Sequence, residues 1–311
     1  MLSAVVFDIK RFAIYDGPGI RTTIFFKGCS LNCKWCQNPE GINGKVELYY
    51  DEKKCINCSE CIKVCPIKKI NSSVSNRFSS KVECLNGCTI CYNNCPSRAI
   101  YKKGESYCAE ELVSLSLEDL DFYKLSGGGV TISGGEPLLQ INFVEEFLKR
   151  LKDYNINVVV ETAGYVKWGN FSRILKNVDI FYYDLKIFNE KKHIEYTSHS
   201  NKLILKNLIK LSKQNKEIII RIPMIPNITD TEENLESLIS FIKGNKLEKY
   251  QIEILPYNEL AEVKYDKKGI NSKDIEKYFS KGLEIQSKRF LFGRKKMFAD
   301  NGLKTKVLSY E

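Results

Sequence analysis

From Gly129 onward the chain alternates short apolar runs with longer amphipathic ones, and few architectures accommodate that order. VTIS precedes INFVEEFLKRLKDY, INVVVE precedes FSRILKNV, and IFYYDLK precedes NKLILKNLIKLSK. EIIIRIP with ENLESLISFIKG, and YQIEILP with SKDIEKYFSKGLEIQ, continue the series. Short β-branched runs read as strands buried on both faces, and the amphipathic segments read as the helices that cover them. Such alternation predicts a parallel sheet with helices outside. Counting TTIFFKG (22–28) as the first strand gives six units. The expected fold class is therefore α/β, a partial (β/α)6 TIM-like barrel with functional residues at the C-terminal strand ends. One helix is also expected from Glu110 to Tyr123.

The cysteines define a second layer of organisation, because eleven of the twelve fall into three runs between residues 29 and 95. The first, GCSLNCKWC, carries Cys29, Cys33 and Cys36. An iron-sulfur cluster takes four ligands, so three thiols in one tight loop leave one iron open for chemistry. The second run is Cys55, Cys58, Cys61 and Cys65 before Pro66, and the third is Cys84, Cys88, Cys91 and Cys95 before Pro96. Only Cys108 is left over. The stretch 48–103 lacks long apolar periodicity and contains the serine-rich NSSVSNRFSS, so it reads as an insert. Three units are expected: 1–47, an N-terminal segment with the first barrel strand and cluster loop; 48–103, the insert; and 104–311, the rest of the barrel.

The spacing C-x2-C-x2-C-x3-C-P resembles the bacterial two-cluster ferredoxin signature, in which the fourth cysteine crosses to the partner cluster. That resemblance implies one auxiliary cluster on Cys55, Cys58, Cys61 and Cys95, and another on Cys65, Cys84, Cys88 and Cys91. Cys84 and Cys88 are separated by three residues rather than two, so this loop departs from the signature. Structural zinc is the competing use of four-cysteine sets, and the x3-C-P endings argue against it.

Composition narrows the setting. A chain of 311 residues, 43% hydrophobic, buries a core without disulfide staples. Its opening MLSAVVFDIKRF reaches Asp8 and Lys10 too early for a secretory signal, and no stretch has the length of a membrane span. Reduced thiols, a cytoplasmic location and no membrane association are expected. The formal charge of +10 counts every thiol as neutral. Three 4Fe-4S clusters would remove about five of those charges. Lys202, Lys206, Lys210, Lys213 and Lys216 fit the solvated side of a helix, and no aromatic-interleaved basic motif points to nucleic acid.

Taken in order, the motifs resemble a family. C-x3-C-x2-C after a strand is similar to the radical S-adenosylmethionine (SAM) superfamily. Asp16-Gly17-Pro18-Gly19-Ile20-Arg21-Thr22 precedes the cysteines, and Trp35-Cys36-Gln37-Asn38-Pro39-Glu40 closes them. Ser133-Gly134-Gly135-Glu136-Pro137, Tyr183-Asp184-Leu185-Lys186 and Leu255-Pro256-Tyr257 follow at strand ends. The set resembles the glycyl-radical-enzyme activating enzymes over essentially the whole chain.

The resemblance implies that Cys29, Cys33 and Cys36 hold a 4Fe-4S cluster whose open iron binds SAM, and that Lys186 acts beside them. Trp35, Gln37, Gly134, Gly135, Glu136, Asp184, Leu185, Lys186, Arg221 and Asn258 are the implied SAM contacts. Glu136 would accept from the methionine ammonium, and Arg221 would reach the SAM carboxylate or pair within the barrel. Glu161 and Thr162 occupy the family's position for a monovalent cation. Relatives often carry His where this chain has Asn258, and amide chemistry gives no titration near neutral pH. His193 and His199 are expected in a surface segment, outside the chemistry. Asp16 and Arg21 are implied contacts for a peptide substrate, with a turn capping the barrel as the alternative.

The implied reaction is reductive cleavage of SAM, followed by hydrogen abstraction from a glycine of a partner glycyl radical enzyme. The insert groups the chain with activases of dehydratases, decarboxylases and C-N or C-C lyases. A ferredoxin or flavodoxin is the implied electron donor, and the chain is expected to be a monomer. Two competing functions are a radical SAM peptide-modifying enzyme, whose extra cysteines usually follow the barrel, and a ferredoxin-like electron carrier, which has no use for the barrel.

Overall fold

The computed structural model describes residues 2–68, 70–74, 77, 88–258, 264, 283 and 285–308. Among them the strands, numbered in chain order, are β1 Ser3–Ala13, β2 Arg21–Phe26, β3 Glu47–Tyr50, β4 Ile100–Lys103, β5 Glu105–Cys108 and β6 Gly129–Gly134. They continue as β7 Asn157–Thr162, β8 Ile180–Asp184, β9 Glu217–Met224, β10 Gln251–Pro256 and β11 Thr305–Val307. Nine of them form one sheet in the order β11-β10-β9-β8-β7-β6-β2-β1-β5. From β2 to β11 every neighbouring pair is parallel, whereas β1 runs antiparallel to both β2 and β5.

The six strands read from apolar runs are β2 and β6 to β10, and they are consecutive in the sheet. Successive residues of a strand point to opposite faces, which gives the sheet two apolar layers. Val158, Val160, Phe181, Ile220 and Ile254 belong to the main core, alongside residues of the helices Ile141–Asp153, Lys202–Leu211 and Glu232–Gly244. Val159, Ile180, Tyr182 and Ile219 form a separate small cluster on the other face. Above that cluster the same face carries polar groups, with Glu161 opposite Tyr182, Asp184 opposite Arg221, and Arg221 opposite Glu253.

Three findings depart from expectation. Strands β1, β5 and β11 extend the sheet beyond the expected six. The expected helix over 110–123 is two helices, Ala109–Leu117 and Leu120–Ser126. They break where Asp119 turns back to the sheet, accepting from Arg11 at 2.5 Å and from Thr22 at 2.6 Å. His193 is buried rather than at the surface, with Nδ1 2.5 Å from the carbonyl of His199.

Within 48–103, β3 and β4 pair antiparallel around their own apolar cluster of Tyr50, Ile70, Ala99 and Ile100, which includes Cys61, Cys65 and Cys91. Among the described residues no helix is long and apolar enough to cross a membrane.

Candidate active site

The first cysteine loop is shaped by backbone hydrogen bonds on both sides. Gly28 donates to Gly41 at 2.8 Å and Cys29 to Ile42 at 3.0 Å, closing its base. Asn32 and Lys34 donate to Thr197 and Tyr196 at 3.0 and 2.9 Å, fastening its tip to the end of the helix Glu190–Thr197. The buried Lys27 ammonium donates to the Glu40 carbonyl at 2.6 Å and to Glu47 at 2.8 Å, tying the loop's two ends together.

Gly134-Gly135 lies directly against this base. The Glu136 amide donates to the Gly28 carbonyl at 2.7 Å, and a Cβ on Gly135 would lie 2.2 Å from that carbonyl oxygen and 2.4 Å from the Gly41 oxygen. Gly134 has φ +112, and a Cβ there would lie 2.4 Å from the Phe26 oxygen. Both positions require glycine, for space and at Gly134 also for conformation.

A cavity of about 240 Å³ opens between this loop and the C-terminal strand ends. Cys29, Cys33 and Cys36 line it together with Trp35 and Gln37, and Gly134 and Gly135 form part of its wall. Glu161, Thr162, Asp184, Lys186 and Arg221 supply its charged and polar side. Sequence reasoning missed Leu31, Gly41, Ile42, Ala163, Pro223 and Ile225, which also line it. Apolar loop residues have no chemical signature of their own, whereas Ala163 just past β7, Pro223 near the end of β9 and Ile225 just past it were within reach of the strand-end rule.

The charges are paired. Lys186 Nζ lies 2.6 Å from Asp184. Burial opposes its charge, but Asp184, Cys33 and Cys29 more than compensate, and its pKa is raised. Arg221 bonds Glu161, donates through Nε to Glu253 at 3.0 Å and through Nη2 to the Tyr15 carbonyl at 3.0 Å, and lies 3.8 Å over the Tyr182 ring. The barrel-pairing alternative for Arg221 is therefore the arrangement found, with the side chain still in the cavity wall. Burial pushes Glu161 up to about 7 against the pull of Arg221, and Ser133 donates to it at 2.5 Å. The Glu161 carboxylate is thus engaged by Arg221 and Ser133, at the position the family associates with a cation. Among the described residues no group of three or more His, Cys, Asp or Glu is arranged to hold a single metal ion.

Burial also pushes the thiols up, Cys33 to about 12, with Cys29 and Cys36 raised as well. Thiolates at these positions need a strong positive charge close by, which iron provides.

Some expected contacts fall elsewhere. Glu136 is 1% exposed and outside the cavity wall. Its carboxylate accepts from Thr162 at 2.8 Å, from the Ala163 amide at 3.1 Å and from the Leu138 amide at 3.3 Å, and burial pushes it up to about 7. These bonds pin the end of β7 to the glycine turn. Leu185 is buried, and neither it nor Asn258 is part of the wall.

Arg21 is fully buried, donating to Thr131 Oγ1 at 2.7 Å and to the carbonyls of Pro18, Val130 and Asn157 at 3.0, 2.8 and 3.1 Å. With those donors committed it braces the turn over 15–20, the arrangement of the alternative reading. Asp16 is half-buried and accepts from Thr23 at 2.7 Å. In the insert, Cys55, Cys58, Cys61 and Cys95 share the wall of one small cavity. Cys65 and Cys91 are buried in the insert cluster and Cys88 is half-buried, while Cys84 lies outside the described residues.

The Radical SAM superfamily matches residues 80–241, and a 4Fe-4S single cluster domain matches 15–71. The chain is 37% identical to the trans-4-hydroxy-L-proline dehydratase activating enzyme of Clostridioides difficile, covering 98% of this chain and 99% of that protein. It is 37% identical to the choline trimethylamine-lyase activating enzyme of Oleidesulfovibrio alaskensis, covering 86% and 87%. It belongs to the radical SAM activating enzymes of glycyl radical enzymes. The activase is also 38% identical to the (2S)-3-sulfopropanediol dehydratase activating enzyme of Klebsiella oxytoca, covering 92% and 93%. Its fold is similar to that of SuiB from Streptococcus suis, with a TM-score of 0.53 at 13% identity over 90% of this chain and 46% of that chain, a likeness of fold alone. As a radical SAM enzyme with a 4Fe-4S domain, the activase uses an iron-sulfur cluster and SAM.

Proposed function

We propose that this activase holds a 4Fe-4S cluster on Cys29, Cys33 and Cys36, binds SAM in the adjoining cavity, and installs the glycyl radical of a partner dehydratase, decarboxylase or lyase. One observation carries the reading: three thiols, the glycine pair and two ion pairs line the same cavity of about 240 Å³. When bound, the cluster supplies one electron that cleaves SAM to methionine and a 5'-deoxyadenosyl radical, which takes a hydrogen atom from the partner's glycine.

The chain's residues bind and position. Asp184 and Glu161 suit the SAM ammonium, and Lys186 and Arg221 suit its carboxylate. Gly134 and Gly135 admit close backbone approach. Hydrogen-atom transfer needs no base, so the remaining tasks are orientation and exclusion of water. The sheet acts as a partial (β/α)6 barrel, and 48–103 as a two-cluster ferredoxin-like insert fed by a ferredoxin or flavodoxin. The four thiols on one small cavity support the crossed set of Cys55, Cys58, Cys61 and Cys95.

The test is anaerobic reconstitution with iron and sulfide, addition of SAM and a strong reductant, and measurement of 5'-deoxyadenosine beside Cys29→Ala. Product that disappears in the variant supports the reading. No product from protein with its full iron complement overturns it.

A further inference from the structure

Arg77 is a buried cation inside the insert with an unusual set of neighbours. It is 1% exposed, and among the described residues no carboxylate pairs with it. Nη1 lies 3.6 Å from Cys61 Sγ, and Nη2 donates to Asn57 Oδ1 at 2.6 Å and to the Ser72 carbonyl at 3.1 Å. Among the described residues its buried Nε has no partner. The guanidinium shares a cavity wall with Cys55, Cys58, Cys61 and Cys95. Enclosing an unpaired charge is costly unless opposite charge lies beside it. Four thiolates on a cluster supply that charge, and neutral amide oxygens do not. The other donors at these sulfurs are uncharged: among them the Asn57 backbone amide lies 3.4 Å from Cys55 Sγ, the Ser97 hydroxyl 3.8 Å from Cys95 Sγ, and Tyr50 reaches Cys55 while the Ile100 and Ala99 amides reach Cys95.

We propose that Arg77 sets the reduction potential of the auxiliary cluster on Cys55, Cys58, Cys61 and Cys95, holding it high enough to accept electrons from the external donor. This rests on the two-cluster reading of the insert. Reduction adds one electron, taking a four-thiolate 4Fe-4S cluster from a net charge of −2 to −3 without moving a proton. A fixed cation hydrogen-bonded to a ligating sulfur stabilises the more negative state preferentially, so the potential rises. Arg77 touches no substrate. It acts through the cluster as a positioning residue, and its effect is on a potential before any effect on turnover.

The experiment is an EPR-monitored redox titration of the reconstituted full-length protein, wild type against Arg77→Gln and Arg77→Lys, with iron and sulfide counted for each. Adding SAM marks the component that belongs to the first cysteine loop. In Arg77→Gln one SAM-insensitive component falls to a more negative midpoint, so that at fixed applied potential its reduced-to-oxidised ratio drops about tenfold, or about 59 mV for one electron. Arg77→Lys keeps the charge but cannot span Cys61, Asn57 and Ser72 together, and moves the same component the same way by less. Unchanged midpoints in a variant with full iron overturn the proposal. Loss of the cluster from both variants also overturns it, making Arg77 a strut. Wild-type protein with fewer than three clusters' iron per chain fails the two-cluster reading itself, and is told apart from failure of the Arg77 proposal by the metal count.

Discussion

Gly135→Ala tests whether the SGGEP turn and the first cysteine loop form one packed unit. The added Cβ would lie 2.2 Å from the Gly28 oxygen and 2.4 Å from the Gly41 oxygen, and both are backbone atoms that no rotamer change relieves. Ordinary contact needs more than 1 Å of further separation, so two backbone segments must part. The same carbonyls accept from Glu136 at 2.7 Å and from Gly28 at 2.8 Å, and both bonds stretch. Overpacking of this kind costs about 1–3 kcal/mol, and each weakened hydrogen bond about 0.5–1.5 kcal/mol. The expected loss is about 2–6 kcal/mol, a drop in Tm on the order of 3–10 °C for a chain of this size. Thermal unfolding under anaerobic conditions reads the stability, and iron content with the SAM-sensitive EPR signal reads the loop. Gly169→Ala is the control, since a Cβ there meets nothing within 4 Å. Its gain is about 0.5–1 kcal/mol. A Gly135→Ala protein with unchanged Tm and a full SAM-sensitive signal would refute the reasoning.

Two further outcomes concern buried polar groups. Arg21→Met removes the donor that serves Thr131 Oγ1 and three carbonyls, and is expected to lower stability by about 2–5 kcal/mol in urea unfolding while 5'-deoxyadenosine formation from SAM persists at low temperature. Wild-type stability with selective loss of partner activation would instead make Arg21 a peptide contact. Glu136 keeps its proton in the folded state up to about 7, whereas an ordinary carboxyl loses it near 4.5. The folded state therefore holds more protons across that window, and stability falls as pH rises through it, by on the order of 3 kcal/mol. Glu136→Gln removes that slope, and unfolding at pH 5, 6, 7 and 8 compares the two proteins. Parallel pH profiles would show that Glu136 is already ionised at the lower end.

The six central strands were legible because each is a β-branched run too apolar for any surface and too short for a helix. The inner-face pattern was legible only in part. Tyr182, Glu161 and Arg221 look alike as isolated polar residues in apolar strands, and it is register that makes Arg221 face both Glu161 and Glu253. The second carboxylate, Glu253, carried no motif and went unnoticed. Strand β1 was hidden because FDIKRFA mixes charge into its length, as befits a strand whose partners are β2 and the short β5. The split near Asp119 was invisible because its cause, a bond to Thr22, lies 97 residues away in sequence. Glu136 and Arg21 show where motif reading stops. A motif tells that a charged residue is required at a position, and only the fold shows that both side chains are engaged within the chain, Glu136 with Thr162 and Ala163 and Arg21 with Thr131 and three carbonyls.

Such engagement bears on how the cavity selects what it binds. Asp184 is paired with Lys186 and Glu161 with Arg221, so the wall carries both signs with its charges already engaged. A ligand bearing one charge must displace a partner and leave the other buried without compensation, at a cost of about 1–3 kcal/mol or more. A ligand bearing an ammonium and a carboxylate together can exchange with both members of a pair and leave none exposed to that penalty. The amino-acid end of SAM has this character. Complementarity to a zwitterion is thus a property of the pairs rather than of any one residue. Removing Asp184 or Lys186 singly disturbs it more than their individual contacts imply.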